Sequence, residues 1–261
     1  MFTALLEVAA RGERPLETEI CLAGLVDEEN EQSGSRALAA TGLSAGLAIV
    51  GEPTRLKVVT AHKGDLWLRL ETRGRAAHGA RPELGRNAVH AMARVVDLLE
   101  TTYASELRRR RHPVLGYATL NVGSIRGGTQ PNIVPDRCEI SIDRRTIPGE
   151  TERTVCAEIR RFLKRHGAAG RLISTKVAPC LPMETDFNLP WVQNLLSCAR
   201  QKSPVGVHFF CDASVLAAGG IPSVVFGPGD IAQAHTADEW ISIESLERAT
   251  ALLTRFLRGL P

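Results

Sequence analysis

Four ionisable side chains in this sequence stand where they could bind a metal ion. Glu28 and Glu29 directly follow one apolar run, Glu52 follows a second run, and His235 lies in a loop after a third. Neighbouring carboxylates at the end of a buried strand cannot all stay ionised at low cost, and a nearby cation resolves that conflict. Each of them taken alone is also compatible with a solvated turn or a structural histidine. Their combination indicates a site for zinc, cobalt or manganese.

The three apolar runs predict the strands that position these side chains. Residues 19–26, 47–50 and 223–226 are nearly continuous apolar runs, which is typical of strands buried on both faces of a parallel sheet. In open α/β sheets, ligands bind at the carboxyl ends of the strands. We therefore expect the four side chains to line one crevice.

Between residues 63 and 179 the pattern changes to that of a separate domain. Residues 65–71 alternate polar and apolar side chains, as in a strand with one solvated face. The following segments complete the order strand, helix, strand, strand, helix, strand, with elements predicted at 87–99, 117–122, 137–143, from about 151 onwards and at 172–177. This order is the split ferredoxin-like arrangement.

The sequence thus predicts an α/β fold interrupted by a smaller α+β domain. Residues 1–62 and 180–261 are expected to form a catalytic domain built on a parallel-rich sheet, and residues 63–179 the inserted ferredoxin-like domain. Helices are expected in the first domain at 3–10, 35–41, 191–202 and 243–257. In the last of these, apolar residues recur at helical spacing and predict an inner face, formed by Leu246, Ala249, Leu252, Leu253 and Phe256.

Composition excludes some classes of partner. The 261 residues include 32 Lys and Arg against 29 Asp and Glu, for a net charge of +3, which favours no polyanionic partner such as nucleic acid. No apolar stretch is long enough to cross a membrane, and the first residues lack the features of a secretory signal. The 6 cysteines, none of them at zinc-ribbon or redox spacing, indicate buried thiols in a reducing compartment. We therefore expect a cytoplasmic protein.

Several short motifs occur in order over the whole chain. They are VDEE at 26–29, VGEPT at 50–54, GRAAHGARP at 74–82, GRNA at 85–88, PNIVP at 131–135, DRR at 143–145, FGPG at 226–229 and AHT at 234–236. Together they resemble the acetylornithine deacetylase and succinyl-diaminopimelate desuccinylase family, which also contains aminoacylases and glutamate carboxypeptidases. The resemblance implies a zinc-dependent amidohydrolase with two zinc ions per site, and a homodimer formed through the inserted domain.

The resemblance also implies a role for each candidate in the first domain. Glu28 is the expected general base, which takes a proton from the attacking water. Glu29 and His235 are the expected ligands of one zinc ion, and Glu52 is expected to bind the other. Asp212 stands in a segment similar to a Thr-Asp-Ala stretch of the family, and no catalytic role is assigned to it.

In the inserted domain, the resemblance implies that His78 reaches the active site of the partner subunit and stabilises the oxyanion. Asn132 and Arg145 are the expected substrate contacts, with Arg145 holding a carboxylate. In the first domain, Gly227 and Gly229 are expected to form a backbone loop near that carboxylate. Structural alternatives stay open: His78 as a turn cap, Asn132 as a turn residue, and Arg145 as the partner of an acidic side chain on the sheet.

The sequence departs from the family pattern in its metal ligands. Family members begin with a segment that carries a His-x-Asp motif and a later Asp that bridges both zinc ions, and neither is found in these 261 residues. Catalytic zinc usually has three protein ligands. We therefore expect weak metal binding and impaired hydrolysis by this chain alone, together with an exposed sheet edge.

Three functions are compatible with these observations. The first is metal-dependent hydrolysis of the amide bond of N-acyl amino acids, of the deacetylase or desuccinylase type. A dipeptidase or carboxypeptidase of the same family would use the same residues on a short peptide. An inactive fragment would act at most as a dimerising module.

Overall fold

The computed structural model describes residues 1–176, 178 and 180–261. These residues divide into two units, of which the first comprises Met1–His62 and Met183–Pro261. The second unit has its own sheet and its own buried side chains.

The second unit comprises Lys63–Pro182. It extends a little beyond the predicted boundary at residue 179, because the backbone N–H of Asp65 donates a hydrogen bond to the carbonyl of Cys180 at 2.8 Å. Residues 180–182 therefore belong with the inserted segment rather than with the first unit.

Eleven strands and eight α-helices occur in the described residues. The strands are β1 (Ala48–Val50), β2 (Val59–His62), β3 (Gly64–Arg73), β4 (Arg111–His112), β5 (Gly116–Tyr117), β6 (Thr119–Gly127), β7 (Arg137–Thr146), β8 (Arg171–Ser174), β9 (Met183–Glu184), β10 (Val205–Val207) and β11 (Ser223–Val225). The helices are α1 (Phe2–Ala10), α2 (Ser33–Ala40), α3 (Ala88–Leu98), α4 (Ala104–Arg109), α5 (Glu152–Arg165), α6 (Pro190–Cys198), α7 (Ala213–Ala218) and α8 (Ile243–Arg258). A π-helical turn, Leu99–Tyr103, joins α3 to α4.

The sheet of the first unit is mixed. Its strand order is β1-β11-β2-β10, and β9 also pairs with β2. The pairs β1–β11 and β2–β10 are parallel, whereas β11 and β9 run antiparallel to β2. The predicted α/β class is confirmed. The parallel register of β1 and β11, with Ala48 opposite Ser223, brings the loops after these two strands to the same edge of the sheet.

The strand predicted at residues 19–26 is wrong. These residues pair with none of the described strands, and Leu22 and Val26 are exposed. Apolar composition favours burial, but a strand forms only where a neighbouring backbone accepts its hydrogen bonds. Cys21, in the same segment, is consequently exposed, while the other five cysteines are buried as expected.

The core of the first unit lies between the sheet and three helices. Side chains of α1, α6 and α8 pack with Val58, Val224 and Phe226 in one buried cluster. Helix α8 begins and ends close to the predicted residues, and Leu253 and Phe256 are buried on its inner face. Leu246 is 45% exposed, so its place on that face was predicted wrongly.

The second unit has the predicted order of elements. Its four-stranded sheet has the order β6-β7-β3-β8, and all three pairings are antiparallel. Trp67 and Arg69 are exposed between buried neighbours of β3, as the predicted alternation requires, whereas Asp65 and Glu71, at the two ends of that run, are buried. The capped helix α5 buries the predicted face, including Val155 and Phe162. Strand β8 ends at Ser174, and residue 177, in the strand predicted at 172–177, lies outside the described residues.

Among the described residues, the helices are all too short or too polar to cross a membrane.

Candidate metal and substrate site

A tightly turned loop carries the first two candidates. Glu28 and Glu29 lie between the unpaired segment and α2, and the residues that bracket the loop, Asp27 and Gln32, both have positive φ, 66° and 58°. The N–H of Gln32 donates to the carbonyl of Asp27 at 2.7 Å and closes the loop. The loop therefore projects two carboxylates from a short span of backbone.

The neighbouring Gly34 must lack a side chain. A Cβ atom there would lie 2.6 Å from the backbone nitrogen of Val26. Gly34 in turn donates a hydrogen bond from its N–H to the carbonyl of Val26 at 3.1 Å. This close backbone approach holds the two ends of the acidic loop together.

Glu52 lies in the loop after β1, and hydrogen bonds between Thr54 and Gly227 join this loop to the loop after β11. We call this pair of hydrogen-bonded residues the clasp. The N–H of Thr54 donates to the carbonyl of Gly227 at 3.3 Å, and the N–H of Gly227 donates to Thr54 Oγ1 at 3.1 Å. A Cβ atom on Gly227 would lie 2.6 Å from the carbonyl oxygen of Glu52. Gly227 thus has a packing role, and Gly229 adopts a positive φ of 87°.

Burial and neighbouring negative charges raise the pKa of Glu28 and that of Glu52. Burial is the largest cause for Glu28, and the negative charges of Glu29 and Asp212 add to it, so that its pKa is raised to about 7. Burial likewise raises the pKa of Glu52 to about 7, with contributions from Glu28, Asp212 and Glu29. Mutual repulsion of this kind means that a cation placed among these groups would be stabilised.

His235 and Glu29 lie beside each other at the surface. The Nε2 atom of His235 is 3.7 Å from Oε2 of Glu29, and both side chains are mostly exposed. Zinc–ligand bonds of about 2.0–2.2 Å in a tetrahedron place neighbouring ligand atoms about 3.3 Å apart. The pair therefore fits one edge of a zinc coordination shell.

The donor types fit zinc, but their number is insufficient for a closed set. Among the residues that the structure describes, there is no group of three or more His, Cys, Asp or Glu side chains arranged to hold one metal ion. Catalytic zinc usually has three protein ligands. The arrangement supplies a group of carboxylates and one imidazole, which are donor types that zinc accepts.

Asp212, to which the sequence assigns no catalytic role, lies close to these carboxylates. Its side chain is buried, and its Oδ1 atom accepts a hydrogen bond from Ser35 Oγ at 2.6 Å. Its charge contributes to the raised pKa of both Glu28 and Glu52. The signal in the sequence is an aspartate placed between Cys211 and Ala213, directly before a buried helix.

The second unit brings His78 and Asn132 together. The N–H of Gly79 donates to the carbonyl of Asn132 at 2.7 Å, and His78 pairs with Ile133 in an isolated bridge. The Nδ1 atom of exposed His78 accepts a hydrogen bond from the N–H of Ala80 at 3.1 Å. In the neutral ring, the proton then lies on Nε2, so His78 presents a hydrogen-bond donor to the solvent.

An open pocket of about 540 Å³ lies next to these loops, within the second unit. Its lining includes Gly79, Thr129, Gln130 and Ile133. Pockets of this size hold small organic molecules.

Arg145 is already occupied by carboxylates of its own unit. Its Nε atom lies 2.9 Å from Oδ1 of Asp143, and its second nitrogen donates to Oδ2 at 3.0 Å. Nε also lies 3.8 Å from Oδ1 of Asp65, which is buried. The structural alternative, an ion pair on the sheet, therefore accounts for the observed position of Arg145, and a substrate carboxylate would have to displace Asp143.

Comparison with known proteins finds the same family over nearly the whole chain. Residues 60–171 match the model of a peptidase dimerisation domain, M20_dimer. An acetylornithine deacetylase from Myxococcus xanthus is 33% identical over 262 residues, which cover 97% of this chain and 68% of that protein. An acetylornithine deacetylase from Edwardsiella ictaluri is 32% identical and is covered over 61% of its length.

Solved structures show the same fold. An aminopeptidase PepT from Bacillus cereus matches with a TM-score of 0.67 and 23% identity, over 88% of this chain and 61% of that one. An M20 family metallo-carboxypeptidase from Sulfolobus solfataricus matches with a TM-score of 0.62 and 19% identity, over 86% of this chain and 66% of that one. The chain thus spans about 60% to 68% of the length of these proteins.

Proposed function

Because this chain belongs to the family of acetylornithine deacetylases and related M20 metallopeptidases, which are hydrolases, we propose that it contributes most of an active site for metal-dependent hydrolysis of N-acyl amino acids. The observation that carries the proposal is the cluster of Glu28, Glu52 and Asp212 beside the pair formed by Glu29 and His235. A group of like charges of which one is buried and two are half-buried is typical of a cation site.

Each residue of the first unit has a proposed task. When bound, the metal ions would make water acidic enough to act as a nucleophile near neutral pH and would polarise the scissile carbonyl. Glu29 and His235 would hold one ion, and Glu52 would contribute to the other. Glu28, whose pKa of about 7 suits a general base, would accept the proton of the attacking water and pass it to the leaving amine.

The second unit would supply groups that bind the substrate. His78 presents an Nε2–H donor, which suits stabilisation of an oxyanion in the site of the partner subunit. Asn132, held against Gly79, would contact the substrate. Arg145 would hold a carboxylate only after release from Asp143. Gly227 and Gly229 would form the backbone loop near that group.

Similarity to the two acetylornithine deacetylases favours an N-acyl amino acid over a peptide as the substrate, since both are more than 30% identical to this chain. The peptidases share its fold at lower identity. Turnover of N-acetylornithine compared with that of dipeptides and tripeptides separates the two functions. Faster cleavage of the peptides would replace the deacetylase proposal with the peptidase alternative.

The 261-residue chain by itself is expected to bind zinc in less than stoichiometric amount and to show little turnover. The reason is that its donor set is short of three ligands per ion. Two measurements check this expectation: the zinc content after dialysis, by mass spectrometry, and the rate of N-acetylornithine hydrolysis. A chimera with the part of the Myxococcus xanthus relative that this chain does not cover is expected to bind about two zinc ions and to turn over the substrate. Two zinc ions on the 261-residue chain alone would contradict the expectation.

The chain is also proposed to form a homodimer through the second unit. Strand β6 is a long edge strand of its sheet, and Ile125 on it is 53% exposed. Exposed edge strands with apolar side chains pair readily with another chain. Light scattering at micromolar concentration is expected to give twice the 28.3 kDa monomer mass.

Matched variants test which surface pairs. Ile125→Lys is expected to shift the chain to monomer, whereas Ile243→Lys, at a 73% exposed position of the first unit, is expected to leave the dimer intact. A monomeric wild-type chain, or dissociation by the control variant, would argue against pairing through this sheet edge.

A further inference from the structure

A buried hydrogen bond joins the start of α2, just after the acidic loop, to the residue that precedes α7. Ser35 Oγ donates to Asp212 Oδ1 at 2.6 Å, and the two residues are 177 positions apart in the sequence. Ser35 is fully buried and Asp212 is 5% exposed. Ser35 lies in the first turn of α2, directly after the loop that carries Glu28 and Glu29, and Asp212 lies directly before α7.

The other hydrogen bonds that the structure gives for residues 27–35 are local. The N–H of Ser33 donates to Asp27 Oδ2 at 3.3 Å, and Gln32 and Gly34 donate to carbonyls of Asp27 and Val26. The preceding residues 19–26 pair with none of the described strands. Among the contacts that the structure gives for these residues, the exposed pair of Glu29 and His235 and the bond from Ser35 to Asp212 reach distant parts of the sequence. Of the two, the bond to Asp212 is buried.

The same aspartate faces the other candidate carboxylates. The electrostatic influence of Asp212 reaches Glu28 from the acidic loop and Glu52 from the loop after β1. Asp212 is thus at the meeting point of the two loops. A short bond from a buried carboxylate to a buried hydroxyl has a defined geometry, because neither group can exchange its partner for water.

We propose that Asp212 is a positioning residue, which holds the acidic loop through Ser35 so that Glu28 and Glu29 face Glu52. The expected effect on zinc binding rests on the proposed function. The expected effect on the order of the loop rests on the geometry alone. Groups that orient metal ligands typically contribute 10- to 100-fold to metal affinity.

Four variants of the 261-residue chain separate positioning from simple helix packing. Ser35→Ala and Asp212→Ala remove the bond. Ser35→Thr keeps the hydroxyl, and Asp212→Asn keeps an oxygen that can accept it. Two quantities are compared among the variants: the amide hydrogen exchange of residues 26–34, and the zinc Kd from competition with a chromophoric chelator. Each variant is measured at the same interval below its own melting temperature.

Ser35→Ala and Asp212→Ala are expected to speed exchange of the loop amides and to weaken zinc binding by about 10- to 100-fold. Ser35→Thr is expected to stay close to the wild type in both measurements, and Asp212→Asn, which keeps the acceptor but loses the charge, is expected to keep wild-type exchange of the loop amides. The double variant Ser35→Ala with Asp212→Ala is expected to be no worse than either single variant, because both remove the same bond.

Wild-type exchange and wild-type zinc Kd in the two alanine variants would overturn the proposal. Equal changes in loop exchange and zinc Kd for Ser35→Thr and Ser35→Ala would overturn it as well, since the effect would then come from packing and not from the hydroxyl. If the wild-type 261-residue chain binds no measurable zinc, the chimera tests the proposed metal site, and exchange alone decides the positioning role: faster exchange confined to the loop in the alanine variants supports it, and unchanged exchange overturns it.

Discussion

Replacement of Glu28 by glutamine is expected to lower kcat for N-acetylornithine by about 100- to 10,000-fold, which is the usual contribution of a general base. Glutamine has nearly the same shape but cannot accept a proton at neutral pH. The zinc content is expected to stay unchanged, because Glu28 is proposed to act on water and not to bind the metal. The measurement is kcat and zinc content in the chimera with the Myxococcus xanthus relative.

Glu31→Gln is the matched control for this variant. Glu31 lies in the same loop and is exposed, so its replacement is expected to leave kcat and zinc content at the wild-type values. Loss of zinc in proportion to activity in the Glu28 variant would identify Glu28 as a ligand. Unchanged kcat would remove it from the proposed mechanism.

Gly227→Ala is expected to destabilise the first unit by about 1–3 kcal/mol, as overpacking of a well-packed interior usually does. The added Cβ atom would lie 2.6 Å from the carbonyl oxygen of Glu52, so one of the two loops has to move. Because Thr54 binds Gly227 through both backbone and side chain, the movement is expected to displace Glu52 and to weaken zinc binding in the chimera.

The check is the free energy of unfolding from urea titration, with the zinc Kd measured in parallel. Gly24→Ala is the control, since a Cβ atom there meets nothing within 4 Å and its φ is not positive. It is expected to leave both values unchanged. Wild-type stability in the Gly227 variant would mean that the two loops accommodate a methyl group and that the clasp does not hold Glu52.

Local patterns in the sequence were sufficient to predict much of the fold. The alternation along β3 and the apolar stripe of α5 each report directly on which side chains face the core, because the period of the pattern is the period of the element. The position of Glu52 after an apolar strand also followed from the sequence, since Gly51 and Pro53 end that strand. The family could be identified because its motifs occur in order along the chain.

Relations between distant segments were decided only by the tertiary structure. The run 19–26 has the composition of a buried strand, yet it is exposed because strand formation depends on a partner backbone that composition does not report. Leu246 fits the helical stripe of α8 but extends beyond the surface that the helix covers. In the first case no described strand pairs with the apolar run, and in the second the side chain is not covered by the rest of the unit.

The candidate site divides in the same way. Glu52 and His235 follow strands β1 and β11, whose parallel pairing brings the loops after them to one edge of the sheet, as the sequence predicts. Glu28 and Glu29 follow a segment that pairs with none of the described strands, so their position did not follow from a strand. The bond between Ser35 and Asp212, and the ion pair that occupies Arg145, depend on which side chains meet across the fold. Hydrogen bonds and ion pairs act over a few ångströms in space, so residues far apart in the sequence become partners only when the backbone has folded.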